Sequence, residues 1–131
     1  MSISIVYHSK SATENNFEKG NKHLIQPILE YLVEFVTNNP TAQVYDEFTS
    51  GKDFNEVIME IRCVDQTQLD LYLSDPRNIQ AKVEGFKADS AIAAFCVTNQ
   101  CTIETSVVND STTVRGRLLA TDLANTLANE F

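Results

Sequence analysis

The spacing of apolar side chains along residues 1–100 changes in one order: alternating, helical, alternating, alternating, helical, then a continuous apolar run. Ile3, Ile5 and Tyr7 alternate with Ser2, Ser4, Val6 and His8, so Ser2 to Ser9 reads as a strand. Lys10 to Gly20 is polar and loop-like. From Asn21 to Asn38, Leu24, Ile25, Ile28, Leu29, Leu32, Val33, Phe35 and Val36 recur at helical spacing and form one broad apolar stripe. Pro27 either delays the regular helix to Gln26 or kinks it one turn in. Asn38-Asn39-Pro40 stops it, and Ala42 to Thr49 follows as a second strand before the turn signal Ser50-Gly51. In the third strand, Asn55 to Val64, Val57, Met59, Ile61 and Cys63 share one face while Glu56, Ile58, Glu60 and Arg62 share the other. Thr49 to Phe54 then closes a hairpin.

Asp65 is placed to cap a helix, with Gln68 three positions on and Leu69, Leu71, Tyr72 and Leu73 as its apolar side. Asp75-Pro76 is a second start signal, with Pro at the first helical position and a helical piece through Ile79, Ala81 and Val83 that ends at Gly85. Ala91 to Val97 is continuously apolar and reads as a fourth strand buried on both faces. Beyond it come an alternating β-branched segment from Thr102 to Val108, the turn-forming pair Asn109-Asp110, and a last helix from Thr113 to Asn129.

Strand, helix, strand, strand, helix, strand is the order of the ferredoxin-like βαββαβ fold, an α+β domain with an antiparallel sheet. Right-handed crossovers put both helices on one face of that sheet. Residues 1–131 are read as one domain, with a core over residues 1–100 and a C-terminal strand and helix over residues 101–131. The other face of the sheet needs a cover, supplied by the sheet of a second copy or by the last helix. The second copy is the expectation, because symmetric homodimers are the commonest oligomers.

A net charge of -8 repels phosphate backbones and anionic membranes, so nucleic acid and membrane are not expected partners. Cys63, Cys96 and Cys101 are odd in number and lack Cys-x-x-Cys spacing, which suggests neither a disulfide framework nor a zinc site. Met1 to Lys10 lacks a signal-peptide pattern, and no stretch approaches the length of a spanning helix, so a cytoplasmic location is expected.

Asp53-Phe54-Asn55-Glu56-Val57, continuing through the third strand to Asp65, and then Gln68-Leu69-Asp70-Leu71-Tyr72-Leu73-Ser74-Asp75-Pro76, resembles the dimeric α/β-barrel superfamily. Within it, the pattern is most similar to the antibiotic biosynthesis monooxygenase branch, over residues 53–84. The resemblance implies a barrel-forming homodimer and a cofactor-independent oxygenase. Relatives have His where Tyr72 stands, and the related haem-degrading enzymes have a Trp near Cys63 and a His near Ala81. This chain has no Trp and neither His, so the resemblance implies no haem, and no cofactor or metal is expected.

His8, at a strand end beside Tyr7, is the candidate proton shuttle, and Tyr72 the candidate hydrogen-bond donor to substrate. Tyr7, Glu60 and Arg62 are expected to line the ligand space, and Arg115 and Arg117, with Thr112 and Thr113, to form a small anion site at the start of the last helix. The functional expectation is a small-molecule-binding homodimer, monooxygenase-like if it is an enzyme, that acts on a small aromatic or apolar metabolite. The alternative is a non-catalytic ligand-binding or regulatory module of the same fold. An isomerase or lyase is a third option, since fold does not fix function.

Overall fold

A computed structural model describes residues 1–11, 22–50, 55–88, 90, 94, 97 and 102–130. The elements are β1 (Ile3–Ser11), α1 (Lys22–Asn38), β2 (Gln43–Ser50), β3 (Asn55–Cys63), α2 (Gln66–Leu73), α3 (Ile79–Ala88), β4 (Thr102–Asn109), β5 (Gly116–Leu118) and α4 (Ala120–Glu130). The strands form one sheet in the order β4-β1-β3-β2-β5. Every pairing is antiparallel. The first four strands therefore have the 4-1-3-2 order of the ferredoxin-like fold, and β5 extends the sheet beside β2.

The alternation in β1 and β3 sorts their side chains as expected. Ile5 and Tyr7 stand opposite Ile61 and Met59, and this face of the sheet, with Val44, meets the helices. α1 contributes Ile28, Tyr31, Leu32 and Phe35 to the core, α2 contributes Leu69 and Tyr72, and α3 and α4 add Val83 and Leu123. Each such side chain contributes about 1.5–3 kcal/mol by leaving water. Pro27 lies inside α1 without ending it.

The start of α2 is fixed as its sequence suggests. The Gln68 amide donates to Asp65 Oδ1 at 2.9 Å, and Gln68 Oε1 accepts from the Val64 amide at 3.0 Å. α3 departs from expectation, because its first residue is Ile79 rather than Pro76. Buried Asn78 caps it, accepting from the Ala81 amide at 2.8 Å and donating from Nδ2 to the Leu73 and Asp75 carbonyls. Asp75 instead takes hydrogen bonds from the backbone and guanidinium of Arg77. α3 also runs through Gly85 to Ala88. A Cβ at exposed Gly85 meets nothing within 4 Å. Gly85→Ala is accordingly expected to raise the folding free energy by about 0.5–1 kcal/mol, read as a higher urea midpoint with an unchanged slope.

The largest correction concerns the fourth strand. It is Thr102–Asn109, paired to β1, and not Ala91–Val97. Ser90, Ala94 and Val97 are helical, while the remainder of that apolar run lies outside the described residues, as do Cys96, Cys101 and most of the polar stretch from Lys10 to Gly20. A short apolar run suits a buried strand and a helix equally well, and its alanines favour the helix, whereas Thr102, Thr105, Val107 and Val108 favour a strand. The βαββαβ order, with α2 and α3 together as its second helical part, is thus completed at Asn109 rather than at residue 100. Asp110 turns the chain at φ 50, its amide donating to the Ser2 carbonyl at 2.8 Å and its carboxylate accepting from the Ser2 amide at 3.0 Å.

A second correction concerns the tail. Arg115 and Arg117 do not start the last helix: Gly116–Leu118 pairs with β2, and α4 begins at Ala120, where Asp122 accepts from the Leu119 amide at 2.8 Å. α4 packs against α1 in the helix layer and so does not lie on the opposite sheet face. No helix of the described residues is long and apolar enough to cross a membrane.

Candidate functional site

On the sheet face that carries none of α1 to α4, called the helix-free face for these described elements, the even-numbered residues of β3 place Glu60 and Arg62 side by side, with Ser4 of β1 opposite Arg62 and Tyr45 of β2 opposite Glu60. The chain between β4 and β5 runs back over them. Arg62 Nη2 donates to Ser111 Oγ at 3.2 Å and to the Thr113 carbonyl at 3.1 Å. Arg115 Nη1 donates to Glu60 Oε1, and Arg115 Nε lies 3.7 Å from the exposed Glu47 carboxylate. Glu60 Oε2 accepts from Ser4 Oγ and from Arg62 Nε, each at 2.7 Å. The Arg62 guanidinium also lies 4.3 Å above the Tyr45 ring.

Glu60 is 0% exposed, and a buried charge survives only where it is paired and hydrogen-bonded. Burial alone would raise its pKa. Hydrogen bonds from Arg62, Ser4 and Ser111, together with the Arg62 charge, outweigh burial and hold the carboxyl below the usual glutamate value. Arg62 is raised in return, mainly by its hydrogen bond to Glu60. The unit is an ionised carboxylate between two guanidinium groups, which fastens the Ser111 to Arg115 segment across the sheet.

Behind the sheet lies an aromatic cluster. Tyr72 is 0% exposed, stacked on Tyr31 at 5.7 Å between centroids and edge-on to Phe35 at 5.3 Å. The Tyr31 hydroxyl donates to the Tyr72 carbonyl at 2.9 Å, and the Tyr72 hydroxyl accepts from the Ile79 amide at 3.2 Å. The Tyr7 hydroxyl is buried beside Tyr72. Burial raises Tyr7 and Tyr72 well above the ordinary phenol value and pushes Tyr31 up to about 12. These hydroxyls stay protonated at neutral pH. Over Tyr31 sits the Arg77 guanidinium at 5.0 Å, paired with Glu34 at 3.1 Å and Asp75 at 2.8 Å beside an open groove of about 360 Å³.

The residues singled out from sequence thus divide between two faces. Glu60, Arg62 and Arg115 meet in one network, and Arg117, exposed and opposite Tyr45, lies on the same face. His8 is also on this face, half-buried and opposite Ile58. Tyr7 and Tyr72 lie on the helix side, so His8 and Tyr72 do not share a site. Cys63 is buried on the helix side as well, its thiol pushed up to about 12 by burial and by Asp65. The sequence alone pointed to Thr113 beside Arg115 and Arg117, but not to Ser4, Tyr45, Glu47 or Ser111. Only the Glu-x-Arg alternation in β3 hinted at the network. Among the described residues, no group of three or more His, Cys, Asp or Glu side chains is placed to hold a metal ion.

No protein-family model and no curated protein matches the chain. Among solved structures, the de novo designed protein Foldit4 is similar at a TM-score of 0.49 and 14% identity, covering 85% of this chain and 100% of its own. A dimeric ferredoxin-like protein from an uncultured marine organism is similar at a TM-score of 0.49 and 10% identity, covering 87% and 100%. SnoaB, a cofactor-independent oxygenase from Streptomyces nogalater, is similar at a TM-score of 0.41 and 12% identity, covering 85% and 96%. The fold itself, read from strand order and direction, is α+β and ferredoxin-like, with an antiparallel sheet of five strands.

Proposed function

We propose that this chain is a homodimeric small-molecule-binding protein whose ligand, a small aromatic or apolar metabolite with an anionic group, sits on the helix-free sheet face. One observation carries the reading: Arg62, Arg115 and Arg117 gather at the β2 side of this face around Glu60 and Glu47, while Glu104, on the same face, lies across the sheet opposite His8. Half-buried Val6 and Ile58 supply an apolar floor beside the arginines. Exposed Arg117 is the group with freedom to meet an anion, since Arg62 and Arg115 are committed to Glu60.

Binding is favoured over catalysis because Tyr72 is sealed in the core and Glu60 is neutralised by its arginines. If the protein oxygenates its ligand, His8 is the residue on this face to take a proton from the substrate, with molecular oxygen as the oxidant. Naphthalene-2-carboxylate is a suitable probe. Calorimetric titration is expected to show binding that weakens at least ~10-fold in Arg117→Glu protein and declines with added salt. Equal binding by wild type and Arg117→Glu would remove the assignment.

A further inference from the structure

The two edges of the sheet are treated differently. At one end, β5 is only three residues long, Gly116–Leu118, which blunts that edge. At the other end β4 runs eight residues, Thr102–Asn109, in unbroken register with β1. It carries no Pro, no Lys and no bulge, and Glu104 is its one charged residue, so it has little of what normally guards a sheet edge. Val107, on the helix side, is 59% exposed, and Val108, on the opposite side, is 38% exposed. The five residues from Thr105 to Asn109 are uncharged in a chain of net charge -8, so a second copy meets little self-repulsion along them.

Which backbone groups face outward follows from the ladder. The Asp110 amide donates to the Ser2 carbonyl, and these two residues continue the register in which Ser4 faces Val108 and Val6 faces Ser106. In an antiparallel pair, such hydrogen-bonded positions alternate with positions whose N–H and C=O point away. Glu104, Ser106 and Val108 therefore bond to β1, while Ile103, Thr105, Val107 and Asn109 present their backbone groups to the open edge.

We propose that β4 pairs antiparallel with β4 of a second copy, about a twofold axis at Ser106, joining the two sheets into one. That register sets Thr105 opposite Val107 and Ile103 opposite Asn109, so all four outward-facing residues are used. It also sets Glu104 opposite Val108, and no like charges meet. This proposal rests on the homodimer of the preceding reading and not on its ligand.

The test combines native mass spectrometry with residue-resolved amide exchange of the full chain at high and low concentration. The expected result is a dimer in which the Thr105, Val107 and Asn109 amides exchange at least ~10-fold faster on dilution, while Ser106 and Val108 remain slow at both concentrations. Val107→Pro removes an outward N–H and none of the β1 ladder, and is expected to weaken dimerisation at least ~10-fold. A dimer whose outward amides are unprotected at high concentration would overturn edge pairing and leave the homodimer standing. A monomer at every concentration would overturn both. Should Val107→Pro protein fail to fold, the wild-type exchange pattern decides alone.

Discussion

Tyr72→Ala protein is expected to lose about 3–5 kcal/mol of folding free energy, a large share of the roughly 5–15 kcal/mol that holds a domain together. The ring is fully buried between Tyr31 and Phe35, so truncation leaves a cavity that α1 and the sheet, already joined by strands and core contacts, cannot collapse to fill. Tyr72→Phe keeps the ring and strips an acceptor from the Ile79 amide, a change worth about 1–2 kcal/mol. Urea unfolding of both proteins separates the two contributions. A Tyr72→Ala cost below about 1 kcal/mol would show that the side chain is not sealed in the core. The same cluster sets the alkaline limit. Phenols raised above 10.0 in the folded state contribute stability that is complete below that pH and lost as pH rises through their raised values.

Glu60→Gln has the second large effect, on the opposite side of the sheet. It leaves Arg62 and Arg115, with side chains 18% and 12% exposed, without the charge they were buried against. Breaking a buried pair from one side costs about 3–5 kcal/mol, and the residual access of both guanidinium groups to water places this case near about 3 kcal/mol. Its pH dependence has a definite sign. The folded carboxyl titrates below its ordinary 4.5, so its contribution is present above that pH and is lost as pH falls through the lowered folded value. Urea midpoints taken at neutral and acid pH are therefore expected to converge for wild type and Glu60→Gln as the pH falls. A constant gap between the two proteins would mean that the charge is not what stabilises the fold.

Much of the fold was legible in local pattern. The alternation of Ile3, Ile5 and Tyr7, the stripe of α1, the two faces of β3 and the Asp65 cap all depend on spacing within one element, and they appear where spacing places them. The fourth strand was not legible, because an apolar run shorter than two helical turns carries no period of its own and is decided by what packs on it. The β-branched segment from Thr102 to Val108 does carry a strand signal, but it follows an apolar run that by pattern alone already supplies a sixth element.

The site was legible only as a list of charged positions. Alternation in β3 brings Glu60 and Arg62 to one face, yet the groups that close the network on Arg62, Ser111 and Thr113, lie 49 and 51 residues further along. Nothing in a local window joins them to β3. The placement of Tyr7 and His8 shows the converse: adjacent residues in a strand point to opposite faces, so sequence proximity to a promising tyrosine removes His8 from Tyr72's side of the sheet.

Titration of the Glu60 side-chain carbon by NMR in the 131-residue chain tests the central claim most directly, because it reads the charge state of the group on which the helix-free face is built. The expected midpoint lies below the ordinary 4.5 and rises in Arg62→Met protein. A midpoint at or above 4.5 in wild type would contradict the arginine-clamped carboxylate and with it the fastening of the Ser111 to Arg115 segment to the sheet.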